Sequence, residues 1–200
     1  MSTDGIDTSR RRFLLASTSV VGAVGIAGIT IPFISSMNPS ARAEAAGAPV
    51  EVDVSKLSPG ERVTLEWRGK PIWVIRRTEK NLEDLESLNS KLVDPESQVP
   101  QQPEYAQNLY RAREDNPKIA VLVGICTHLG CSPSYRPEPG AKDLGGKAWK
   151  GGFFCACHGS KFDLAGRVYS GVPAPTNLVV PPFKFLSDSV VLVGEDGGAA

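Results

Sequence analysis

Histidine is nearly missing from this chain, at two residues in 200, and cysteine is sparse at four. So few cysteines exclude a disulfide scaffold that holds together a coreless mini-protein. Charge of one sign is not in excess either, because 22 basic residues balance 22 acidic ones. Apart from Arg10-Arg11-Arg12 there is no basic block, so nothing points to nucleic acid as a partner. Turn chemistry, by contrast, is plentiful: 20 Gly and 16 Pro suggest a loop-rich, mostly β chain with several tight turns. The hydrophobic share of 41% and charged share of 22% are those of a globular protein rather than a disordered one. The length fits one ordinary domain plus an appendage.

A second absence is local. Residues 13–41 contain no charge. The apolar stretch from Phe13 to about Ile34 is long enough to cross a bilayer, which takes about 20 residues as a helix. Ser9-Arg10-Arg11-Arg12-Phe13-Leu14 resembles the twin-arginine export signal, a bacterial address. The expected layout is a cytoplasmic segment at 1–12 and a transmembrane helix at 13–37 in the bacterial inner membrane. Arginines stay on the cytoplasmic side, which puts the C-terminal domain in the periplasm. Ala41-Arg42-Ala43 looks like a cleavage site that would start a mature chain near Glu44. The apolar run, however, exceeds the core of about 7–15 residues usual in a cleaved signal, so a retained single-pass anchor is expected. Twin-arginine export carries folded proteins, which suits a cofactor inserted before export, and the oxidising periplasm permits a disulfide.

Residues 38–49, small and Ala-rich, read as a linker, either coil or marginal helix. The folded domain is expected at 50–200. Short β-rich runs fall at 50–54, 63–67 and 72–76, with Arg68-Gly69 as a turn between the last two. Leu82, Leu85 and Leu88 repeat at helical spacing within an insertion at 79–116 that also holds a Pro/Gln-rich loop at 94–104. Further strands are expected at 119–125, 149–154, 168–169, 178–180, 183–186 and 190–193.

All the scarce residues gather in two loops. One apolar run leads into Cys126-Thr127-His128-Leu129-Gly130-Cys131, another into Cys155-Ala156-Cys157-His158-Gly159-Ser160. Together they hold every Cys and every His in the chain. Two disulfides with two surface histidines would leave the histidines unexplained. A zinc site of two Cys and two His is chemically acceptable, but zinc spacings usually cluster like ligands, and here each loop offers one of each kind. The third reading is a Rieske [2Fe–2S] cluster, in which two His replace two Cys on one iron. Spacing does not say which cysteine of each loop binds iron; one ligand per loop leaves four assignments.

The boxes C-T-H-L-G-C and C-A-C-H-G-S, and Gly171-Val172-Pro173-Ala174-Pro175 downstream, resemble the Rieske iron–sulfur proteins of cytochrome bc1 complexes. The resemblance covers essentially the whole chain. It implies an all-β fold: a Rieske-type antiparallel β-sandwich with a small cluster-binding subdomain at about 126–175, plus the N-terminal transmembrane helix. It implies Cys126 and Cys155 on one iron, His128 and His158 on the other, and a Cys131–Cys157 disulfide. It implies the electron-transfer subunit of a quinol–cytochrome c reductase, taking one electron from ubiquinol, expected ahead of menaquinol, and passing it to cytochrome c1. His158 would hydrogen-bond the quinol. Leu129, Gly130 and Pro173 would form the tip that meets cytochrome b, and residues 38–49 a hinge. Ser160 stands where the family places a hydroxyl donor to the cluster; at Phe162 many members carry a Tyr donor that this chain lacks. The alternatives are the small Rieske subunit of a periplasmic oxidase such as arsenite oxidase, and a ring-hydroxylating-oxygenase ferredoxin. Cys131 and Cys157 argue against the ferredoxin.

Overall fold

The first helix begins with a cap. The Asp7 carboxylate accepts from the amides of Ser9 and Arg10 at 3.0 and 3.1 Å, satisfying two donors that a helix start leaves open. Helix α1 (Thr8–Ser35) then runs through the arginines and the apolar stretch, with Pro32 in its last turn. None of its residues is buried, including Phe13, Val21, Ile29 and Phe33, and it is long and apolar enough to cross a membrane. The computed structural model describes residues 7–197. The first six residues of the expected 1–12 segment and the last three of the 50–200 domain lie outside the described residues. A seven-residue helix, α2 (Ala41–Gly47), follows. Contacts divide the chain into two units, one ending at Ala45 and the other starting at Ala46.

The second unit is built from three antiparallel three-stranded sheets. In the first, β9 (Val190–Val193) lies between β1 (Val50–Asp53) and β8 (Phe183–Ser187). In the second, β3 (Lys70–Arg76) lies between β2 (Arg62–Trp67) and β4 (Ile119–Val123). Arg68 and Gly69 both take positive φ, 51° and 70°, as a two-residue hairpin turn requires. Strand β4 is buried along its whole length, which is why it reads as continuous apolar sequence rather than alternation. In the third sheet, β6 (Gly152–Cys155) lies between β5 (Ser134–Arg136) and β7 (Ser160–Phe162).

The insertion contains helix α3 (Glu79–Glu86), started by a reciprocal cap between Thr78 and Asn81. Leu85 and Leu88 are buried, the face that the leucine spacing predicts. Two expected strands form no ladder. Residues 168–169 make only isolated bridges, Phe162 to Val168 and Leu92 to Tyr169. At 178–180 the amides of Leu178 and Val180 donate singly, to Gly166 and Gln101 at 2.8 Å each, and the Val179 carbonyl accepts one bond from the Val123 amide at the end of β4 at 2.8 Å; single bonds to three different segments do not make a ladder.

Three guanidinium groups and one carboxylate are buried together where β7 turns back. Arg77, Arg111, Arg167 and Asp163 are each no more than 1% exposed. Asp163 takes the Nε of Arg167 at 2.8 Å and the amides of Ala165 and Arg167 at 2.9 and 2.8 Å. The carbonyls of Leu164, Ala165 and Gly166 accept from Arg77 and Arg111. Arg167 reaches Asn89 and Leu85 of the insertion. Burial pushes Arg77 and Arg111 down to about 10, so both are still cationic at neutral pH.

Asp163→Asn removes the one buried counter-charge. Breaking such a pair costs about 3–5 kcal/mol. The urea midpoint should fall accordingly with an unchanged m-value. A loss under about 1 kcal/mol would mean that carbonyl dipoles alone neutralise the cage.

Candidate metal centre

Strands β4 and β6 each lead into a cysteine loop, and both loops close by the same device. The carbonyl of Cys126 accepts from the amide of Gly130 at 3.0 Å, and that of Cys155 from the amide of Gly159 at 2.9 Å. Gly130 and Gly159 have φ of 83° and 81°, a conformation that other residues adopt only at a cost. Cys126 and Cys155 are therefore structural equivalents. Both are buried and free. The remaining two, Cys131 and Cys157, form a disulfide across the loops, with Cα atoms 6.8 Å apart. The Sγ atoms of Cys131, Cys155 and Cys157 lie within 4.8 Å of one another. Two of the three are oxidised, however, and a metal binds thiolate, so this trio is not a ligand set.

The imidazoles of His128 and His158 meet edge to face, with centroids 4.7 Å apart and planes at 89°. His158 is exposed and His128 is half-buried. The Nδ1 of His128 is buried without a hydrogen-bond partner, which costs about 1–3 kcal/mol unless something binds it. Two buried thiols and two adjacent imidazoles, one with an unpartnered nitrogen, fit a [2Fe–2S] cluster with His₂ on one iron. Burial pushes the Cys126 thiol up; the His128 amide pulls it down, the neighbouring Cys155 raises it, and the Ser160 hydroxyl lowers it. The amide and the hydroxyl thus favour the thiolate that would ligate.

A third loop covers the site and is tied to both others. The Thr127 hydroxyl donates to the Thr176 carbonyl at 2.7 Å. The amide of Ala174 donates to the Ser160 oxygen at 3.0 Å, and Ser160 is fully buried. Leu129 is 70% exposed, and Gly130 and Pro173 are exposed beside it in sequence or in the covering loop. Phe162 is fully buried in the same core as Cys126 and Cys155. Thr127 and the Ala174 amide were not singled out from sequence. Thr127 is one ordinary polar residue within the first cysteine loop, and a backbone donor leaves no mark on residue type.

Comparison with known proteins agrees in both halves. Residues 1–40 match the family model described as Ubiquitinol-cytochrome C reductase Fe-S subunit TAT signal, and residues 89–184 match the Rieske [2Fe–2S] domain. The chain is similar over 200 residues, at 58% identity, to the ubiquinol-cytochrome c reductase iron-sulfur subunit of Allochromatium vinosum, covering 100% of this chain and 95% of that one. The subunit of the same name from Rhodospirillum rubrum is 45% identical, covering 96% of each chain. That of Blastochloris viridis is 41% identical, covering 96% of this chain and 97% of the relative.

The disulfide spans 26 residues of sequence. Replacing both Cys131 and Cys157 by Ala should lower stability by about 3–4 kcal/mol on the chain-entropy estimate. Urea unfolding of wild type with its disulfide intact, and of the variant with Cys126 and Cys155 kept as free thiols, measures it. A difference below about 1 kcal/mol would show that packing alone holds the two loops together.

Proposed function

The chain belongs to the family of ubiquinol–cytochrome c reductase iron–sulfur subunits, and from that premise we propose how its site works. The domain carries a Rieske [2Fe–2S] cluster and serves electron transfer in quinol–cytochrome c reductase, with cytochrome b and cytochrome c1 as partners. A periplasmic oxidase such as arsenite oxidase is not favoured, because relatives matching nearly the full chain carry the reductase name.

Cys126 and Cys155 would hold one iron as thiolates, and His128 and His158 would hold the other. The observation that carries this assignment is the meeting of two equivalent free thiols with two imidazoles, one bearing a buried unpartnered nitrogen. Bound there, the cluster supplies a one-electron acceptor at about −150 to +300 mV, against about −400 mV for all-cysteine plant-type ferredoxins. The difference follows from neutral imidazoles replacing two negative thiolates.

His158, being exposed, would turn its outward ring nitrogen toward the hydroxyl of ubiquinol, and would accept the quinol proton there when that nitrogen has given up its own proton, as a metal-bound imidazole can. Histidine is the side chain that changes charge nearest to neutral pH without help. Leu129, Gly130 and Pro173 form the apolar surface that docks on cytochrome b. Ser160 donates toward the Cys126 sulfur and so stabilises the more negative reduced state. Helix α1 remains as a membrane anchor with its arginines on the cytoplasmic side and the domain in the periplasm. Residues 38–49 act as the hinge on which the domain travels between the two cytochromes, and Cys131–Cys157 suits an oxidising compartment.

Metal and sulfide analysis of the purified chain should give two irons and two sulfides per chain, with an EPR signal on reduction. One zinc and no signal would overturn the reading in favour of a zinc module. Phe162→Tyr adds the hydroxyl that the family resemblance places at this position. A net hydrogen bond of about 1 kcal/mol is roughly 40 mV for a one-electron couple, so redox titration should show an upward shift of that order. No upward shift would mean that the hydroxyl does not reach the site.

A further inference from the structure

One indole stands between the two strands that lead into the cysteine loops. Trp73, in the middle of β3, is 2% exposed. Its ring lies flat on Phe153 of β6, with centroids 4.7 Å apart and planes at 15°. Another edge of the ring faces Gly124, just past the end of β4. A Cβ at Gly124 would overlap the Cε2, Cζ2 and Nε1 atoms of the indole. Gly124 does not have a positive φ, so its backbone does not demand glycine; the ring does. Nor is that backbone free to retreat, because the Gly124 amide donates to the Pro71 carbonyl at 2.7 Å. The guanidinium of Arg62 closes over the same ring, 4.8 Å from its centroid.

The placement is even-handed. Cys126 is two residues beyond Gly124, and Cys155 is two residues beyond Phe153. The sheets containing β4 and β6 share no strand pairing, so side chains set the distance between their ends. Packed side chains transmit displacement rather than absorb it. We propose that Trp73 is a positioning residue that sets the separation of Cys126 and Cys155, with Gly124 as the residue that makes room for it. This rests on the ligand assignment above.

The test uses the full chain purified from membranes as wild type, Gly124→Ala, Trp73→Phe and the double variant. Iron and sulfide per chain, the EPR spectrum of the reduced form and the midpoint potential report the site. Circular dichroism and thiol counting report the fold and the disulfide. Gly124→Ala should keep the fold and disulfide but lose iron several-fold, or hold a cluster with a shifted spectrum. Trp73→Phe alone should keep the fold and disulfide but hold a cluster with a shifted spectrum or potential, and a Trp73→Phe chain with wild-type spectrum and potential overturns the proposal. Adding Trp73→Phe to Gly124→Ala removes the overlapping atoms, so the double variant should regain the iron content of Trp73→Phe. A Gly124→Ala chain with wild-type iron, spectrum and potential overturns the proposal. So does a loss that the double variant does not repair, including the case in which Gly124→Ala fails to fold and the double variant fails with it. If Gly124→Ala fails to fold and the double variant recovers both fold and cluster, the proposal stands. A wild-type chain without iron overturns the ligand assignment and the proposal together, whereas a loaded wild type with an indifferent Gly124→Ala overturns the proposal alone.

Discussion

On the proposed ligand assignment, four donors carried on two separate loops have to meet at one point, and fixing loop backbone costs about 1–2 kcal/mol per residue. Protein–protein bonds within and between the loops offset that cost. Each loop starts from a strand end: Val123 closes the buried β4, and Cys155 itself is the last residue of β6. Each is then closed by a cysteine carbonyl and a glycine amide in a left-handed turn. The disulfide joins the two loops through the cysteines that do not remain free. The same residue type thus does two jobs, and oxidation keeps them apart, because a disulfide sulfur does not compete for iron.

The next constraint lies behind the loops. The turn at Asp163–Arg167 ends β7 and begins the covering loop, and its carbonyls face inward among buried guanidiniums. Three cations against one carboxylate would be poor bookkeeping if charge were the only interaction, since buried ion pairs seldom repay their desolvation. The carbonyl oxygens supply the missing negative ends. Several partners come from the insertion: Leu85, Asn89, Pro95, Gln102 and Tyr110 all accept from these arginines. Asn177, at the far end of the covering loop, accepts from the Val168 amide at 2.9 Å and donates to the Asp94 carbonyl at 2.9 Å. The insertion is therefore a buttress that holds both ends of the covering loop.

Rarity made the site legible in the sequence. With only four Cys and two His, two boxes holding all of them could be read as a metal centre directly. Which cysteines pair could not be read from spacing, because the equivalence of Cys126 and Cys155 lies in backbone turns rather than in residue order. The long buried strands β3 and β4 were legible as apolar runs. Strands β5 and β7 were not, since each has three residues and β5 is bounded by Pro133 and Pro137; pairing with β6 makes them strands, not their own pattern. The arginine cage was invisible for a related reason. Arginine is ordinarily exposed, and only the fold brings Arg77, Arg111 and Arg167 around one aspartate.

The covering loop and the tuning of the site share a single hydroxyl. Ser160 has one proton and an oxygen that can accept. Its oxygen takes the amide of Ala174, and its hydroxyl favours the Cys126 thiolate. The two contacts support each other: an amide on the oxygen side leaves the proton for the sulfur, and a proton drawn to sulfur makes the oxygen the better acceptor. If Ser160 plays the role proposed for it, the seating of the covering loop bears on how strongly negative charge is stabilised at the sulfur. Thr127 reinforces the coupling from the other loop by holding Thr176. Phe162, two residues past Ser160 and fully buried, contributes packing but no donor. On the proposed assignment the hydroxyl donor toward the Cys126 sulfur is Ser160, and the Ala174 amide on its oxygen fixes the direction in which it donates.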